Sequence, residues 1–439
     1  MSDALPEDWS IKPLGELAQV VSGGTPSRNV PYFWDDGKIP WITPTDITAT
    51  RGKYISDSND KITKLGLMGC SASLLPSGSI LMTSRATLGE AKISTMPACT
   101  NQGFKSLVPK SGVSNEFLYY QIQRTKQQYA RFGSGSTFLE VGKKDTDAFP
   151  VMIPDADRQA KIAELLSLLD TQIEATEALI AKQERVRAGL KQDLFTRGVD
   201  EHGQLRPPRD QGPRRYHQTE LGWLPLAWEV GPITRCINSA SDATIGPFGS
   251  NLVATHYRAA GVPVIFVRDV KPDRFLWKSD VFVDPAKARD LAAHGSRPGD
   301  VIATKMGFPP CIACLHPHDF PAAIITADMI RLRVSRRDIA IPEYISGALN
   351  SEAVLAQVRA ITGGVTRPKI TLADFRSLRV AYPPVDEQKL IFDRLALIDG
   401  LIDDLLSEVA KLNLQKSGLM QDLLTGKVSV APLLESAAA

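Results

Sequence analysis

Residues 383–402 read PPVDEQKLIFDRLALIDGLI, and residues 154–173 read PDADRQAKIAELLSLLDTQI. At a shift of 229 positions, without a gap, Pro154, Asp157, Gln159, Ile162, Leu166, Leu168, Asp170 and Ile173 fall on Pro383, Asp386, Gln388, Ile391, Leu395, Leu397, Asp399 and Ile402. The same shift carries Gly189-Leu190, Gln192-Asp193-Leu194, Thr196 and Val199 onto Gly418-Leu419, Gln421-Asp422-Leu423, Thr425 and Val428. A period this long is a duplicated module rather than a solenoid repeat. It predicts a molecule with internal two-fold character.

Each copy reads as one long helix, because its apolar residues recur at alternating steps of four and three. In the second copy the seam is Ile391, Leu395, Ile398, Ile402, Leu405, Val409 and Leu412, then Leu419 and Leu423. The first keeps it as Ile162, Leu166, Leu169, Ile173 and Ile180, then Leu190 and Leu194, interrupted by Thr176, Gln183 and Arg187. Heptad seams of this kind pair with one another as coiled coils. From Ile162 to Leu194 the helix reaches roughly 50 Å at about 1.5 Å per residue. On the helices alone, a coiled coil that merely dimerises the protein explains the pattern equally well.

The segments between the helices are diverged copies too. Leu5-Pro6 and Trp9 in the first answer to Leu224-Pro225 and Trp228 in the second, and the run Ile39 to Ile47 answers to Val262 to Val270. Gly78 to Thr83 and Gly299 to Thr304 are short strands behind Pro/Gly turns. Gly135, Thr137 and Asp145 return as Gly364, Thr366 and Asp374 on the 229 shift. The expected order is a globule at 1–153, a helix at 154–198, a linker at 199–215 rich in proline and arginine, a globule at 216–382, a helix at 383–430 and a tail at 431–439. The fold class is α+β: two similar α/β globules separated by two long helices in an antiparallel coiled coil.

Composition narrows the function classes. With 439 residues, 43% hydrophobic and 23% charged, the chain is ordinary globular material. It holds no apolar run of about 18 residues and no amino-terminal signal pattern, which places it in the cytoplasm as an expectation. Five cysteines without framework spacing fit a reducing compartment. Charge separates along the repeat: 16 basic against 14 acidic side chains in residues 1–150 and 19 against 15 in 216–381, but 6 against 8 in 155–196 and 5 against 9 in 382–439. Contact with nucleic acid must therefore be focused in clusters or shared with a more basic partner.

The boundaries Phe149-Pro150-Val151-Met152-Ile153-Pro154 and Tyr382-Pro383-Pro384-Val385-Asp386-Glu387-Gln388, each leading into a helix, resemble the specificity subunit of type I restriction–modification systems over essentially the full chain. The helix-start pattern of proline, acidic residue and glutamine is complete in the second copy, whereas the first has Asp157-Arg158-Gln159. The resemblance implies two target-recognition domains, each reading half of a split double-stranded DNA sequence, with the helices setting the gap. It also implies docking of two modification (methyltransferase) subunits and, through them, of motor-nuclease restriction subunits. S-adenosylmethionine, ATP and Mg would belong to those partners, with no cofactor in this chain. A structural coiled-coil adaptor whose globules bind protein is the alternative.

The chain lacks an Asn/Asp-Pro-Pro-aromatic tetrapeptide, a Gly-rich cofactor loop after a clear strand, and a P-loop, so it is expected to be non-catalytic. Cys311-x-x-Cys314 with His316 and His318 is the one metal-like cluster. No second knuckle completes a zinc spacing, and the segment falls where the first globule has the strand Ala91 to Thr95, so buried thiols are expected and no metal. Candidate DNA contacts are basic and hydroxyl side chains on loops after short strands, because Arg forks onto guanine and Lys or Ser reaches phosphate. In the first globule these are Ser84, Arg85, Thr87, Lys105, Ser134, Ser136, Lys143 and Lys144. In the second they are Arg268, Lys271, Lys305, Thr366, Arg367 and Lys369. Asn101-Gln102 could read adenine or could bond a turn, while Trp34 and Trp41 are expected in the core.

Overall fold

The computed structural model describes residues 5–85, 87–133, 139–362 and 366–438. The chain forms two compact units, residues 1–180 with 405–439 and residues 181–404. Each unit thus takes one globule together with part of each long helix.

In the first unit, strand Ser10–Pro13 pairs antiparallel with Pro150–Ile153, Ser10 opposite Ile153. This ribbon ties the start of the globule to its end, beside the first long helix (Ala156–Thr196). The main sheet runs in the order Ala18–Ser22, Lys105–Pro109, Ile80–Met82, Ala91–Ser94, Tyr54–Ile55. In a second sheet Ile39–Ile42 lies antiparallel to Asp60–Ile62 and parallel to Cys99–Thr100. Strands this short are stable because both faces are covered, and every residue of Ile80–Met82 is buried.

The second unit repeats the plan. Glu229–Pro232 pairs antiparallel with Arg379–Tyr382, and a sheet runs Ala243–Ile245, Met329–Leu332, Val301–Thr304, Ala313–Leu315. Val262–Ile265 again lies between an antiparallel neighbour, Phe282–Val283, and a parallel one, Ala323–Ile325. The matching turns after these strands are pinned by matching buried aspartates. Asp46 accepts from the Thr43 and Asn59 amides (2.8 and 3.1 Å), and Asp269 from the Phe266 and Lys278 amides (both 2.9 Å).

In the first unit Ile162 and Leu166 share a core with Leu423 and Leu424. Further along the first helix Asp170 pairs with Lys416, which lies earlier on the second helix (Val385–Leu423), so the two segments run antiparallel. In the second unit Leu194 and Phe195 share a core with Ile391 and Leu395, and Arg187 pairs with Asp399. The 229 shift maps Asp170 onto Asp399 and Arg187 onto Lys416. The polar interruption read at Arg187 is therefore one half of a duplicated ion pair.

Ile162, Leu166, Ile173, Ile180, Leu194, Ile391, Leu395, Ile402, Leu405, Leu412 and Leu423 are buried, and Leu169, Leu190, Ile398 and Val409 are half-buried. Leu419 departs from the expected seam, at 38% exposure. After Leu412 the buried stripe passes through Lys416 and Met420 to Leu423, an eleven-residue spacing that rotates Leu419 outward.

Residues 199–215 are held against the second unit rather than left as a free tether. Val199 is 1% exposed, and Arg206 pairs with Glu387 of the second helix. Left-handed glycines let both helix ends turn closely against tryptophan: a Cβ on Gly198 (φ +62) would sit 2.5 Å from Trp228, and one on Gly426 (φ +72) 2.7 Å from Trp9.

Candidate nucleic-acid interface

The six residues predicted in the second globule come to one surface. Arg268 and Lys271, both exposed, line a cleft of about 570 Å3 with Tyr257, Phe266 and Met306. The Arg268 guanidinium lies 4.4 Å from the Phe266 ring centroid. On the rim, Lys305 Nζ lies 4.7 Å from the Phe248 ring centroid. Residues 366–370 join this edge because Met306 bridges to Lys369 and the Ile370 amide donates to the Lys305 carbonyl (2.9 Å). Thr366, Arg367 and Lys369 are exposed, and Lys305 is half-buried. Cations set beside aromatic rings, exposed at Phe248 and half-buried at Phe266, can meet phosphate and base together.

The first globule brings Arg85 and Lys105 together on a carboxylate that sequence reading missed. Arg85 Nε donates to Glu140 (2.8 Å), and Lys105 Nζ donates to Glu140 (3.2 Å) and approaches Ser84 Oγ (3.4 Å). Partial burial opposes ionisation of Glu140, yet the hydrogen bonds and charges of Arg85 and Lys105 hold its carboxyl below the usual range. Two predictions need correction here. Ser84 and Lys105 are buried, at 0% and 6% exposure, so Lys105 braces Glu140 from beneath, with Ser84 beside it, and neither is presented to a ligand. Arg85, Thr87, Lys143 and Lys144 are exposed, the lysines opening the short helix Lys143–Ala148. Ser134 and Ser136 lie outside the described residues.

The two surfaces are versions of one device. Arg85 bridges to Glu140 as Met306 bridges to Lys369, and Glu140 and Lys369 are related by the 229 shift. The shift was legible, but nothing in sequence announced that this position faces the loop after the central strand.

The remaining candidates behave as structural groups. Asn101 Oδ1 accepts from the Gly103 amide (2.9 Å), which closes a turn. Trp41 is 3% exposed and donates from Nε1 to the Gly24 carbonyl (2.9 Å), and Trp34 packs edge-on against it at 5.0 Å. Cys311 and Cys314 are wholly buried, and burial pushes the Cys311 thiol up to about 12. His316 is committed to Ser296 Oγ (2.8 Å) and the Pro321 carbonyl (3.0 Å), while His318 is exposed. Among the described residues no three His, Cys, Asp or Glu side chains converge as metal ligands. No helix among them is long and apolar enough to cross a membrane.

The type I restriction modification DNA specificity domain matches residues 6–185 and 319–411, more than half of the chain. The chain belongs to that family. It is 36% identical over 193 residues to the specificity subunit of type I restriction enzyme MjaIX of Methanocaldococcus jannaschii, covering 44% of each chain. It is 30% identical over 170 residues to the EcoR124I/EcoR124II specificity subunit of Escherichia coli, covering 37% of this chain and 41% of that one. Each of these matches spans less than half of the relative's length. A match at 21% identity extends over 98% of the chain and 95% of the MjaVIII specificity subunit of M. jannaschii. The fold is shared with the S subunit of a type I restriction–modification system from M. genitalium (TM-score 0.55, 14% identity, 96% of this chain, 97% of that one).

Within this DNA specificity family fold, the proline-to-glutamine helix start is a lock made twice. Gln159 donates to the Pro154 carbonyl (2.9 Å) and accepts from the Ser114 amide (2.9 Å). Gln388 donates to the Pro383 carbonyl (2.8 Å) and accepts from the Ile341 amide (3.0 Å). Each buried amide thereby satisfies backbone groups of both globule and helix, which fixes where the globule sits on its helix segment. At the intervening position the copies differ: Glu387 takes Arg206, Val199 and Trp228, whereas Arg158 takes Asp155 and Asp8.

Proposed function

We propose that this chain is the specificity subunit of a type I restriction–modification complex, binding double-stranded DNA with each globule reading one half of a bipartite target. The observation that carries the reading is the surface of the second globule, where Arg268 lies on Phe266 and Lys305 on Phe248, Lys271 lines the same cleft as Arg268, and Arg367 and Lys369 lie on the adjoining edge, with a counterpart built around Arg85 in the first. Arg85 and Arg268 are the base-reading candidates, and the lysines are the phosphate contacts that fix register.

The coiled coil spaces the half-sites and docks two methyltransferase subunits, through which restriction subunits join. Methyl transfer with S-adenosylmethionine, and ATP-driven work with Mg, then reside in those partners. The globules correspond to residues 1–153 and 216–382, the spacer helices to 154–198 and 383–430.

Selection from a randomised duplex pool by the full chain with its modification subunit tests the reading. The expected result is a split motif whose binding weakens steeply with salt, since each neutralised phosphate adds about 0.9 to the logarithmic salt slope. Recovery of no motif, with binding only to protein partners, would favour the coiled-coil adaptor instead.

A further inference from the structure

We infer that Phe308 is an apolar wedge that enters the duplex at the second half-site and opens one base step, so that this half is read partly through its ease of unstacking. The inference rests on the DNA-binding reading above and adds a residue of a different chemistry to it. Phe308 is 80% exposed, in the loop joining strands Val301–Thr304 and Ala313–Leu315. An exposed apolar side chain is common on protein surfaces and by itself means little. What distinguishes Phe308 is its mount and its surroundings.

The mount is stiff on both sides. Before Phe308, the Lys305 amide donates to the Asp328 carbonyl (2.7 Å) and the Gly307 amide to the Pro368 carbonyl (3.3 Å). After it, Pro309 and Pro310 restrict the backbone, and Pro310 and Cys311 are buried. The Cys311 amide donates to the Thr304 carbonyl (2.7 Å). Cys311 holds φ +69, a left-handed conformation that a non-glycine residue keeps only where its surroundings impose it, and such strain gathers at functional segments. Backbone anchoring of this kind fixes where the Phe308 side chain leaves the surface, so insertion costs little backbone freedom.

The surroundings are cationic. Lys305 lies three residues before Phe308, Arg367 and Lys369 lie on the segment bonded to the loop, and Phe248 is 54% exposed beside Lys305. An exposed aromatic on an anchored loop, with Lys305 before it and Arg367 and Lys369 on the segment bonded to that loop, matches the side chains that wedge between base steps while cations hold the flanking phosphates. The first globule carries Arg85 in the matching loop, so the two half-sites would be read by different means.

The test uses the full chain with its modification subunit and the duplex recovered by selection, with 2-aminopurine placed at successive positions of the second half-site. Its fluorescence rises where stacking is lost. The wild-type protein should raise the signal at one step; Phe308→Ser should abolish that rise and weaken binding about tenfold to a hundredfold, the worth of one base–aromatic stack. Phe308→Trp should restore both, and the salt slope should stay the same in all three proteins, since phosphate contacts are untouched.

Wild-type binding with no 2-aminopurine response at any position, or Phe308→Ser binding and responding like wild type, overturns the wedge and leaves the DNA reading intact. Loss of the modification subunit rather than of DNA by Phe308→Ser also overturns it, making the loop a protein contact. Failure of the wild-type complex to select any duplex overturns both.

Discussion

Glu387→Ala should unfold the second unit at a markedly lower temperature than the wild-type protein. The Glu387 side chain is 8% exposed, and its carboxylate accepts from the Val199 amide (3.0 Å), Trp228 Nε1 (3.1 Å) and both ends of the Arg206 guanidinium. Arg206 is itself only 15% exposed. Removal leaves a cation without its partner, which costs about 3–5 kcal/mol for a buried pair. It also orphans two neutral donors at about 1–3 kcal/mol each. Water entering the vacated space relieves part of this, so the net loss should be about 4–6 kcal/mol. A unit of this size loses about 2–4 °C per kcal/mol, which places its transition roughly 10–20 °C lower. Calorimetry of the full chain, with tryptophan fluorescence as a second probe, measures the shift. In the Arg206→Ala background the same substitution should cost far less, since the stranded charge is gone. A drop below about 3 °C for Glu387→Ala, with no dependence on Arg206, would show that the two side chains do not act as a buried pair.

Arg85→Ala should cost about 1–3 kcal/mol of discrimination at one base pair of the first half-site and leave the second unaltered, as read by selection from a randomised pool. Glu140 has a depressed folded-state pKa, so its contribution should be fully present above the ordinary carboxylate range and fade as pH falls through the depressed value. Melting temperatures of wild type and Glu140→Gln should therefore differ by a constant amount from pH 8 to about 5 and converge below about 4; a difference still growing at low pH would contradict this. Four residues inserted between the exposed Glu177 and Ala178 add roughly 6 Å of helix and a net turn of about 40°. The half-sites should then stand one or two base pairs farther apart, as read from genome methylation, and an unchanged gap with full modification would assign the spacing to something else.

The duplication made most of the architecture legible, because a gap-free 229-residue register survives even where only seam residues and turn formers are shared. It placed the strands that flank each candidate DNA-contact loop, since Pro/Gly turns and buried runs such as Val301–Thr304 have local signatures. It did not reveal which side of a strand end faces solvent. Lys105 reads as a surface cation, yet it lies beneath Glu140, a partner 35 residues away that no local pattern connects to it. Leu419 misled for a different reason: strict alternation of four and three ignores the drift of a real helix, which lets the stripe slip to Met420. The Asp170–Lys416 and Arg187–Asp399 pairs could have been found, since opposite charges at shift-related positions of two antiparallel helices are visible in sequence. Phe308 carried no such signal, because exposure on a stiff loop is a tertiary property.

Genome-wide mapping of methylated bases, in cells carrying this chain with its modification subunit, before and after residues 1–153 are replaced by the matching globule of a relative, asks whether the two globules read independently. The wild-type chain should give a single split motif with a fixed gap, and the exchange should rewrite one half while preserving the other half and the gap. A continuous motif, or an exchange that alters both halves together, would contradict two independent readers on a common spacer.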